Sequence, residues 1–291
     1  MLQKFYDRQL GAMFGLAVGD ALGAPVEFNA RDTFEPITTM VPGGYFDLPA
    51  GAWTDDTAMS LALFFSLQAC GNLNAEHLLT EFYEWFGTGK YSSTGRAVGL
   101  GQNTFWVLSE FKRKGTLIAG RQNNKSDGNG SLMRLAPVPI MFVDDRDKAL
   151  RIAVDQSRTT HASNPAAEAC FYACHILIDL LRGEQWRDAI RHAPQGLNAL
   201  ENVASLDWKT KSRDEISSSG YVVHTLEAAL WCVETTNSFD EAVLVAANLG
   251  DDADTVAAVT GQFAGACYGY TSINPHWVSL LKSHGYPNLR F

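Results

Sequence analysis

The sequence predicts an all-α fold, because apolar residues recur with helical spacing along nearly the whole chain and no segment alternates polar and apolar residues as a strand does. In residues 75–86, AEHLLTEFYEWF, the apolar side chains form one face of an amphipathic helix. Residues 222–233, VVHTLEAALWCV, predict a further apolar helix. Gly261 and Gly265 are four residues apart in another apolar segment and predict the close approach of a neighbouring helix.

Two other helices carry end signals. The Asn-Pro pair at 164–165 predicts a helix start, with Asn as the cap and Pro in the first turn, and Gly183 predicts where that helix ends. Ser238 and Glu241 have the spacing of a capping box, which predicts a helix that continues to Gly250.

Length and composition predict a single globular domain over residues 1–291. The chain is 46% hydrophobic and 19% charged, and no linker-like change of composition divides it. The formal net charge of -9 argues against binding of nucleic acid through a general basic field. A small anionic ligand remains compatible with this charge if its site supplies cations.

We expect a cytoplasmic protein without a membrane span. No apolar run approaches the roughly 20 residues that a spanning helix needs. The early apolar stretch LGAMFGLAVG is flanked by Asp7, Arg8 and Asp20 and lacks a cleavage pattern, which indicates a core helix. The five cysteines lack metal-ligand spacing, apart from the pair Cys170 and Cys174, and predict reduced thiols.

Two loops rich in acids and hydroxyls each precede an apolar helix, GAWTDDT at 51–57 (the first acidic loop) and GDDADT at 250–255 (the second acidic loop). A lone Asp or Thr at a helix start is usually a cap. Leaving Asp251 aside, four acids and three hydroxyls at two helix starts exceed what capping requires. Clustered carboxylates need compensating cations, and oxygen ligands alone favour Mg²⁺, Mn²⁺ or Ca²⁺ over zinc. Two divalent ions would balance four carboxylates, although the sequence does not show that the two loops meet.

Six blocks, in chain order, resemble the ADP-ribosylglycohydrolase family, typified by the dinitrogenase-reductase-activating glycohydrolase: GDALGAPVEF, GAWTDDT, GNGSLMR, TTHASNPA, SSGYVVHTLEAALW and GDDADTVAAVTGQFAGA. The resemblance implies an orthogonal multi-helix all-α fold with a cleft that holds two divalent cations, Mg²⁺ or Mn²⁺. It implies a hydrolase that removes ADP-ribose from modified protein side chains, with arginine as the default linkage. The expected partners are ADP-ribosylated proteins or ADP-ribose, with neither a membrane nor nucleic acid.

The resemblance also assigns roles to residues by position. The implied metal ligands lie in the two acidic loops: Thr54, Asp55, Asp56, Asp252, Asp254 and Thr255. The implied catalytic residues are Glu27, Asp56 and Asp252, with Glu27 either coordinating metal or moving protons. The implied contacts to ADP-ribose are Gly128, Asn129, Gly130, Ser131, His161 and Tyr221, with the glycine-rich turn as the pyrophosphate cradle. Without the resemblance, Glu27 would be a surface ion-pair partner and His161 and Tyr221 loop or core residues. Asp20 is expected to bond backbone amides.

One departure from the family concerns Gly99, in the loop RAVGLGQNT, where family members commonly carry an aspartate in a stretch like FDIG. Loss of that acid would lower the rate, change the preferred linkage or transfer the role to Glu27. A smaller departure is Asp251, where the family often has glycine. Two alternative functions stay open: a module that binds ADP-ribose with weak or no hydrolysis, and an Mg²⁺-dependent phosphoesterase. The segment 115–127 is a candidate lid or a solvated loop.

Overall fold

The computed structural model describes residues 2–115, 127–191 and 193–291, so nearly all of the candidate lid at 115–127 lies outside the described residues. The described residues form α-helices joined by turns and short 3₁₀ segments, without a β-strand, and the predicted all-α fold class is confirmed. The helices are α1 (Leu2–Gly23), α2 (Asp55–Cys70), α3 (Ala75–Thr88), α4 (Gln102–Lys114), α5 (Pro137–Met141), α6 (Arg146–Arg158), α7 (Asn164–Arg182), α8 (Trp186–Ala189), α9 (Glu201–Ala204), α10 (Val222–Glu234), α11 (Phe239–Ala247), α12 (Ala253–Tyr268) and α13 (Pro275–Ser283).

Helices α1 and α12 pack against each other backbone to backbone at the centre of the fold. Glycines every four residues on α1 face small residues of α12, so Gly15 opposes Gly261 and Gly11 opposes Gly265. A methyl group built on Gly261 would come within 3.0 Å of the Gly15 carbonyl oxygen, closer than real Cβ atoms approach. The close approach predicted from the glycine spacing is therefore present, and it brings the end of α1 next to the start of α12.

Helices α2 and α12 are buried on nearly all sides, which explains their continuous apolar sequences. Most buried apolar side chains belong to one hydrophobic cluster that includes residues of α1, α2, α7, α10 and α12. A small second cluster contains Ala24, Leu48, Ala52 and Val98, with Phe46 packed against it. The large cluster supports the helix ends from which the candidate site is built.

Two predicted helix ends differ from the structure by a few residues. The cap of α7 is Ser163, whose side chain accepts the Ala166 N–H, so Asn164 is already the first helical residue. Helix α11 ends at Ala247 rather than Gly250, because the Asn248 side chain hydrogen-bonds the loop at Ile37 and leaves the helix direction. The end of α7 before Gly183, which has a φ of +104°, agrees with the sequence.

The five cysteines are free thiols, as expected, and three of them are buried. None of the described helices combines the length and the apolar character that crossing a membrane requires.

Candidate metal centre and active site

The two acidic loops meet at the N-terminal ends of α2 and α12. The Thr54 hydroxyl lies 3.3 Å from an Asp254 carboxylate oxygen, and the Thr255 hydroxyl lies 3.5 Å from an Asp56 carboxylate oxygen. The contact of α1 with α12 produces this pairing, because the second acidic loop leads directly into α12 and α1 contacts the first acidic loop. The sequence alone could not show that loops so far apart in the chain form one site.

Neither helix start uses its acidic residues as caps. Thr54 occupies the cap position of α2 and Asp252 that of α12, and neither side chain accepts a capping hydrogen bond. By contrast, Ser238 caps α11 through its side chain, as the sequence predicted. Capping by the side chains of Thr54 and Asp252 therefore does not explain why these loops are rich in acids and hydroxyls.

Asp20 in α1 fixes the position of the first acidic loop. Its buried carboxylate accepts hydrogen bonds from the backbone N–H groups of Thr54 at 2.9 Å and Thr57 at 3.0 Å. The hydroxyls of both threonines donate to it as well. The expected bonding to backbone amides is therefore observed, and this residue links the loop to the central helix pair.

The carboxylates form two groups of three that share Asp254. In one group, oxygen atoms of Asp20, Asp56 and Asp254 lie within 4.8 Å of one another. In the other, oxygen atoms of Glu27, Asp252 and Asp254 do so. Ligands of one hard cation have oxygen atoms spaced in this way. A carboxylate shared by two groups fits two neighbouring cation positions.

Burial raises the pKa values of these acids. It raises the pKa of Asp20 to about 6. Burial and the charges of neighbouring carboxylates raise the pKa of Glu27 to about 8 and the pKa values of Asp55, Asp56 and Asp254 well above their ordinary value. Near neutral pH, such a cluster must therefore bind either protons or cations.

Two oxygen atoms of the cluster, Glu27 Oε2 and Asp56 Oδ1, are buried without a hydrogen-bond partner among the residues that the structure describes. Buried polar atoms without partners are costly and need an explanation. A donor set of carboxylate and hydroxyl oxygens suits a hard divalent cation better than zinc. The residues present therefore fit the divalent ions that the sequence predicts.

Asp55, also a predicted ligand, belongs to neither group of three and lies in the cleft against Gly99. A methyl group built on Gly99 would come within 3.0 Å of Asp55 Oδ1, and the backbone φ of +84° is one that glycine adopts far more easily than other residues. The position where the resemblance implies an aspartate is therefore occupied by backbone in contact with Asp55.

Asp251 also has a left-handed backbone conformation, with a φ of +56°. Glycine adopts this conformation without strain, and Asp is one of the residues that tolerate it. Its backbone N–H donates to the Asn29 carbonyl, and its carbonyl accepts the Phe28 N–H. The conformation fits the glycine that the family resemblance implies at this position.

The glycine-rich turn at 128–131 lies on the same cleft, beside the second acidic loop. The Asn129 N–H donates to the Gly220 carbonyl at 3.2 Å, and Gly220 approaches Asp252. The His161 ring packs against Gly130, where a methyl group would lie 2.8 Å from a ring carbon. Glycine at this position therefore lets the turn backbone and the ring share one wall of the cleft.

Burial, with the nearby Arg134 charge as a second cause, lowers the pKa of His161 to about 3, so the ring is neutral at ordinary pH. Arg134 donates to the Thr160 hydroxyl oxygen, and that hydroxyl lies 2.8 Å from His161 Nδ1. The Thr160 hydrogen can then donate to Nδ1, which leaves a hydrogen on Nε2. In this tautomer the ring offers a donor beside the turn.

The side chains of three residues predicted to contact ADP-ribose lie in surroundings that the sequence did not indicate. The Asn129 side chain donates to Asp252 Oδ2 at 2.5 Å and to Thr225 at 2.9 Å, so it orients a carboxylate. The Ser131 hydroxyl is fully buried and pairs with Ser157 at 2.7 Å. The Tyr221 ring is partly exposed and outside the residues that line the cleft, while its backbone pairs with Gly128.

Most of the predicted site residues line one cleft of about 1100 Å³; those outside its lining are Asp20, Thr54, Asp56, Ser131 and Tyr221. Within the described ranges, no Lys or Arg lines this cleft. Five acidic side chains do: Glu27, Asp55, Asp251, Asp252 and Asp254. The sequence reasoning missed a group of aromatic side chains in its wall, Phe28, Tyr45 and Phe46. The available signal was the segment PGGYF, where aromatic residues follow a glycine turn without any helical periodicity.

Comparison with known proteins gives consistent matches. A model of the ADP-ribosylglycohydrolase family matches residues 1–289. The ADP-ribosylarginine hydrolase Tri1 of Pseudomonas putida (strain GB-1) is 40% identical over 277 residues, which are 95% of this chain and 74% of that protein. The ADP-ribosyl-(dinitrogen reductase) glycohydrolase of Rhodospirillum rubrum is 31% identical over 280 residues, 95% of this chain and 90% of that protein.

A solved structure named "ADP-ribosylglycohydrolase-related protein complex" has a TM-score of 0.82 and 34% identity to this chain, and the match covers 97% of this chain and 94% of that one. The enzyme class predicted from the sequence, an ADP-ribosyl glycohydrolase, is confirmed by the family match and the named relatives. The chain belongs to the ADP-ribosylglycohydrolase family.

Proposed function

We propose that this protein is a metal-dependent hydrolase that removes ADP-ribose from arginine side chains of modified proteins. The observation that supports the proposal most strongly is the pair of carboxylate groups that share Asp254 at a cleft of about 1100 Å³. The names of two relatives, an ADP-ribosylarginine hydrolase and a glycohydrolase of ADP-ribosylated dinitrogen reductase, support the substrate class.

Two divalent cations, Mg²⁺ or Mn²⁺, are the proposed cofactors. The proposed ligands come from the two acidic loops: Thr54, Asp55, Asp56, Asp252, Asp254 and Thr255. When bound, a pair of such ions orients a substrate and lowers the pKa of water. Asn129 supports the site by holding Asp252, and Asp20 supports it by holding the first acidic loop. Such supporting bonds fix ligand orientation.

Glu27, Asp56 and Asp252 are the proposed catalytic residues. Glu27 presents an unpaired oxygen at the cleft wall, next to Asp252 and Asp254, which suits a group that takes a proton from the attacking water. As the glycosidic bond breaks, positive charge develops at the anomeric carbon. The carboxylates around the site stabilise that charge, because they lie in a partly buried setting where electrostatic interactions are strong.

The diphosphate of ADP-ribose is proposed to lie against the turn at 128–131. Backbone N–H groups at a glycine turn bind phosphate, and the neutral His161 ring adds a donor without adding charge. Tyr221, at the edge of this wall, is proposed to contact the adenosine part. Of the predicted contacts, Ser131 is expected to act through its backbone, since its hydroxyl is bonded to Ser157.

The arginine linkage is the part of the proposal that depends on charge. The cleft lining contains five acidic residues and, among the described residues, no Lys or Arg, so it favours a cationic leaving group. A modified arginine supplies one, whereas a modified serine does not.

A second candidate function is an ADP-ribose-binding module with weak or no hydrolysis. The observation that favours it is Gly99, which leaves the loop at 97–104 without an acid.

The experiment that separates these functions is mass-spectrometric identification of the product. The protein is incubated with arginine-linked and serine-linked ADP-ribosyl peptides, each with Mg²⁺, Mn²⁺ or EDTA. The proposal predicts metal-dependent release of ADP-ribose from the arginine-linked peptide, lost in an Asp55→Ala, Asp254→Ala variant. Release of AMP would instead indicate a phosphoesterase. Tight ADP-ribose binding without turnover would indicate the binding module.

A further inference from the structure

The aromatic cluster of Phe28, Tyr45 and Phe46 forms an exposed apolar wall of the cleft. The rings pack edge to face, with centroids 5.2 Å apart for Phe28 and Tyr45 and 5.1 Å apart for Tyr45 and Phe46. Phe28 is 62% exposed and Tyr45 is 75% exposed. Large aromatic side chains that are exposed to solvent and grouped at a cleft commonly mark a binding surface.

Backbone contacts position this cluster, although its rings contribute little to the core. Phe28 has a left-handed backbone φ of +66°, which is strained for a bulky residue. Two backbone hydrogen bonds maintain it, from the Phe28 N–H to the Asp251 carbonyl at 2.7 Å and from the Asp251 N–H to the Asn29 carbonyl at 2.8 Å. Strain that is maintained at a site indicates a role in function.

The other two rings are fixed by a turn that packs on the chain just before Phe28. Gly43 and Leu48 exchange two backbone hydrogen bonds around this turn. A methyl group on Gly44 would lie 2.5 Å from the Ala24 carbonyl oxygen, so the turn touches the backbone there. Phe46 packs against the small cluster that contains Leu48. The cluster therefore has a defined position relative to the acids.

The cluster lies beside Glu27, which is proposed to act at the glycosidic bond, so a leaving group on this side of the cleft would meet its rings. Phe28 follows Glu27 directly, and Glu27 is in one of the two carboxylate groups. The loop at 99–104 also lines the cleft there, and it offers backbone, amide and hydroxyl groups but no charge. The loop itself offers a cationic leaving group no acid, and the aromatic faces attract a cation in addition to the carboxylates of the cleft.

We propose that the aromatic cluster binds the guanidinium of the modified arginine by cation–π contact and thereby selects the arginine linkage. The inference rests on the proposed function and names the residues that select its leaving group. A guanidinium is planar, permanently charged and weakly hydrated, so it stacks on aromatic faces better than an ammonium does. A serine hydroxyl gains nothing from these rings.

The test compares a Phe28→Leu, Tyr45→Leu double variant with the wild type, both loaded with Mg²⁺. The KM for an arginine-linked ADP-ribosyl peptide is expected to rise about 10-fold, within the range of about 2- to 30-fold for loss of such contacts. The kcat and the Kd for free ADP-ribose are expected to stay near their wild-type values. Tyr45→Phe keeps the ring and should retain the wild-type KM. Phe86→Leu is the matched control, since Phe86 is an exposed aromatic residue outside the cleft lining.

A binding measurement separates failure of this inference from failure of the proposed function. Ethylguanidinium is titrated into the ADP-ribose-bound protein while the ring signals of the cluster are followed by NMR, with neutral N-ethylurea as control. Shifts with ethylguanidinium alone, with the shift of the Phe46 ring lost in the double variant, support the inference even if the wild type releases no ADP-ribose from arginine. An unchanged KM in the double variant, equal shifts with both probes, or weakened ADP-ribose binding would overturn it.

Discussion

Glu27 illustrates how much of the site is decided at the scale of single residues. From the sequence alone it would be a surface ion-pair partner, and only the family resemblance made it a candidate. The structure places its carboxylate in a buried group with Asp252 and Asp254. Contacts across the cleft set the environment of this side chain, and these depend on helix packing that sequence patterns do not describe.

The raised pKa of Glu27 predicts how the metal-free protein responds to pH. Between the ordinary pKa of 4.5 and the folded value of about 8, the folded state holds a proton that the unfolded state has lost. The contribution of Glu27 to the free energy of unfolding should therefore be fully present below about pH 4.5. It should be lost as the pH rises through about 8. Glu27→Gln should flatten this decline by more than about 1 kcal/mol, since one pKa unit corresponds to about 1.4 kcal/mol.

Urea unfolding in EDTA at several pH values between 5 and 8 measures the decline in both proteins. The other buried acids leave a residual slope in the variant, so the comparison is the difference between the two slopes. A variant that declines as steeply as the wild type would show that Glu27 is not protonated in the metal-free site.

The surroundings of Gly99 predict that replacing it with the aspartate implied by the family resemblance would impair the enzyme rather than improve it. Gly99→Asp forces a side chain against Asp55 and imposes a left-handed conformation on a non-glycine residue. We expect lower turnover, weaker Mn²⁺ binding by at least about 10-fold, and a lower melting temperature. Gly101→Asp is the matched variant in the same loop, because Gly101 has open space around it, a φ of -64° and the cap position of α4.

Calorimetric Mn²⁺ titration and thermal unfolding distinguish the two variants. Gly101→Asp should retain Mn²⁺ affinity and the melting temperature, since Asp is a good cap. Faster turnover by Gly99→Asp with unchanged Mn²⁺ affinity would mean that the loop can move away from Asp55, and the account of this glycine would be wrong.

At the scale of elements, local signals predicted the helices and failed to predict their partners. Apolar periodicity predicted the helix at 75–86 and the helix at 222–233, and both are present as α3 and α10. Helix ends shifted by a few residues where a competing side chain, such as Ser163, took the cap. The meeting of the starts of α2 and α12 could not be predicted, since it depends on the packing of α1 against α12.

The contact between α1 and α12 predicts opposite effects for two Gly→Ala substitutions in helices. The methyl group of Gly261→Ala would clash with the backbone of α1. We therefore expect the free energy of unfolding to fall by at least about 1–3 kcal/mol. Gly87→Ala in α3 meets no atom within 4 Å and should instead gain about 0.5–1 kcal/mol from helix propensity. Urea unfolding of both variants gives the two signs directly. A neutral Gly261→Ala would show that the helices do not pack this closely.

At the scale of the whole molecule, we propose that residues 1–291 form one domain. Most of the buried apolar side chains belong to one cluster, which contains Trp53, Trp85, Trp208 and Trp277. Tryptophan fluorescence and far-UV circular dichroism should therefore report a single, coincident unfolding transition in urea. Two separate transitions would contradict the proposal.

The cytoplasmic location stays a prediction, for which cell fractionation is the measurement.

The fold class and the enzyme family could be predicted from the sequence because they depend on periodicity and on blocks of residues kept in order. The arrangement of the cleft could not, and Asn129 shows why. The resemblance implies that its turn forms a phosphate cradle, but nothing in the sequence indicates that its side chain holds Asp252. Which of several polar atoms a side chain contacts is decided by distances between elements, which no local pattern contains.

The central claim is that the acids sharing Asp254 hold two divalent ions that the hydrolase requires. The most direct measurement is a titration of metal-free protein with Mn²⁺, in which bound Mn²⁺ and ADP-ribose released from an arginine-linked peptide are followed together. The account predicts that release reaches its maximum at two ions per chain. Asp254→Asn should abolish release and bind at least one ion fewer, whereas Asp251→Asn, an acid outside both groups, should behave as the wild type. Release in EDTA, or two ions still bound by Asp254→Asn, would contradict the claim.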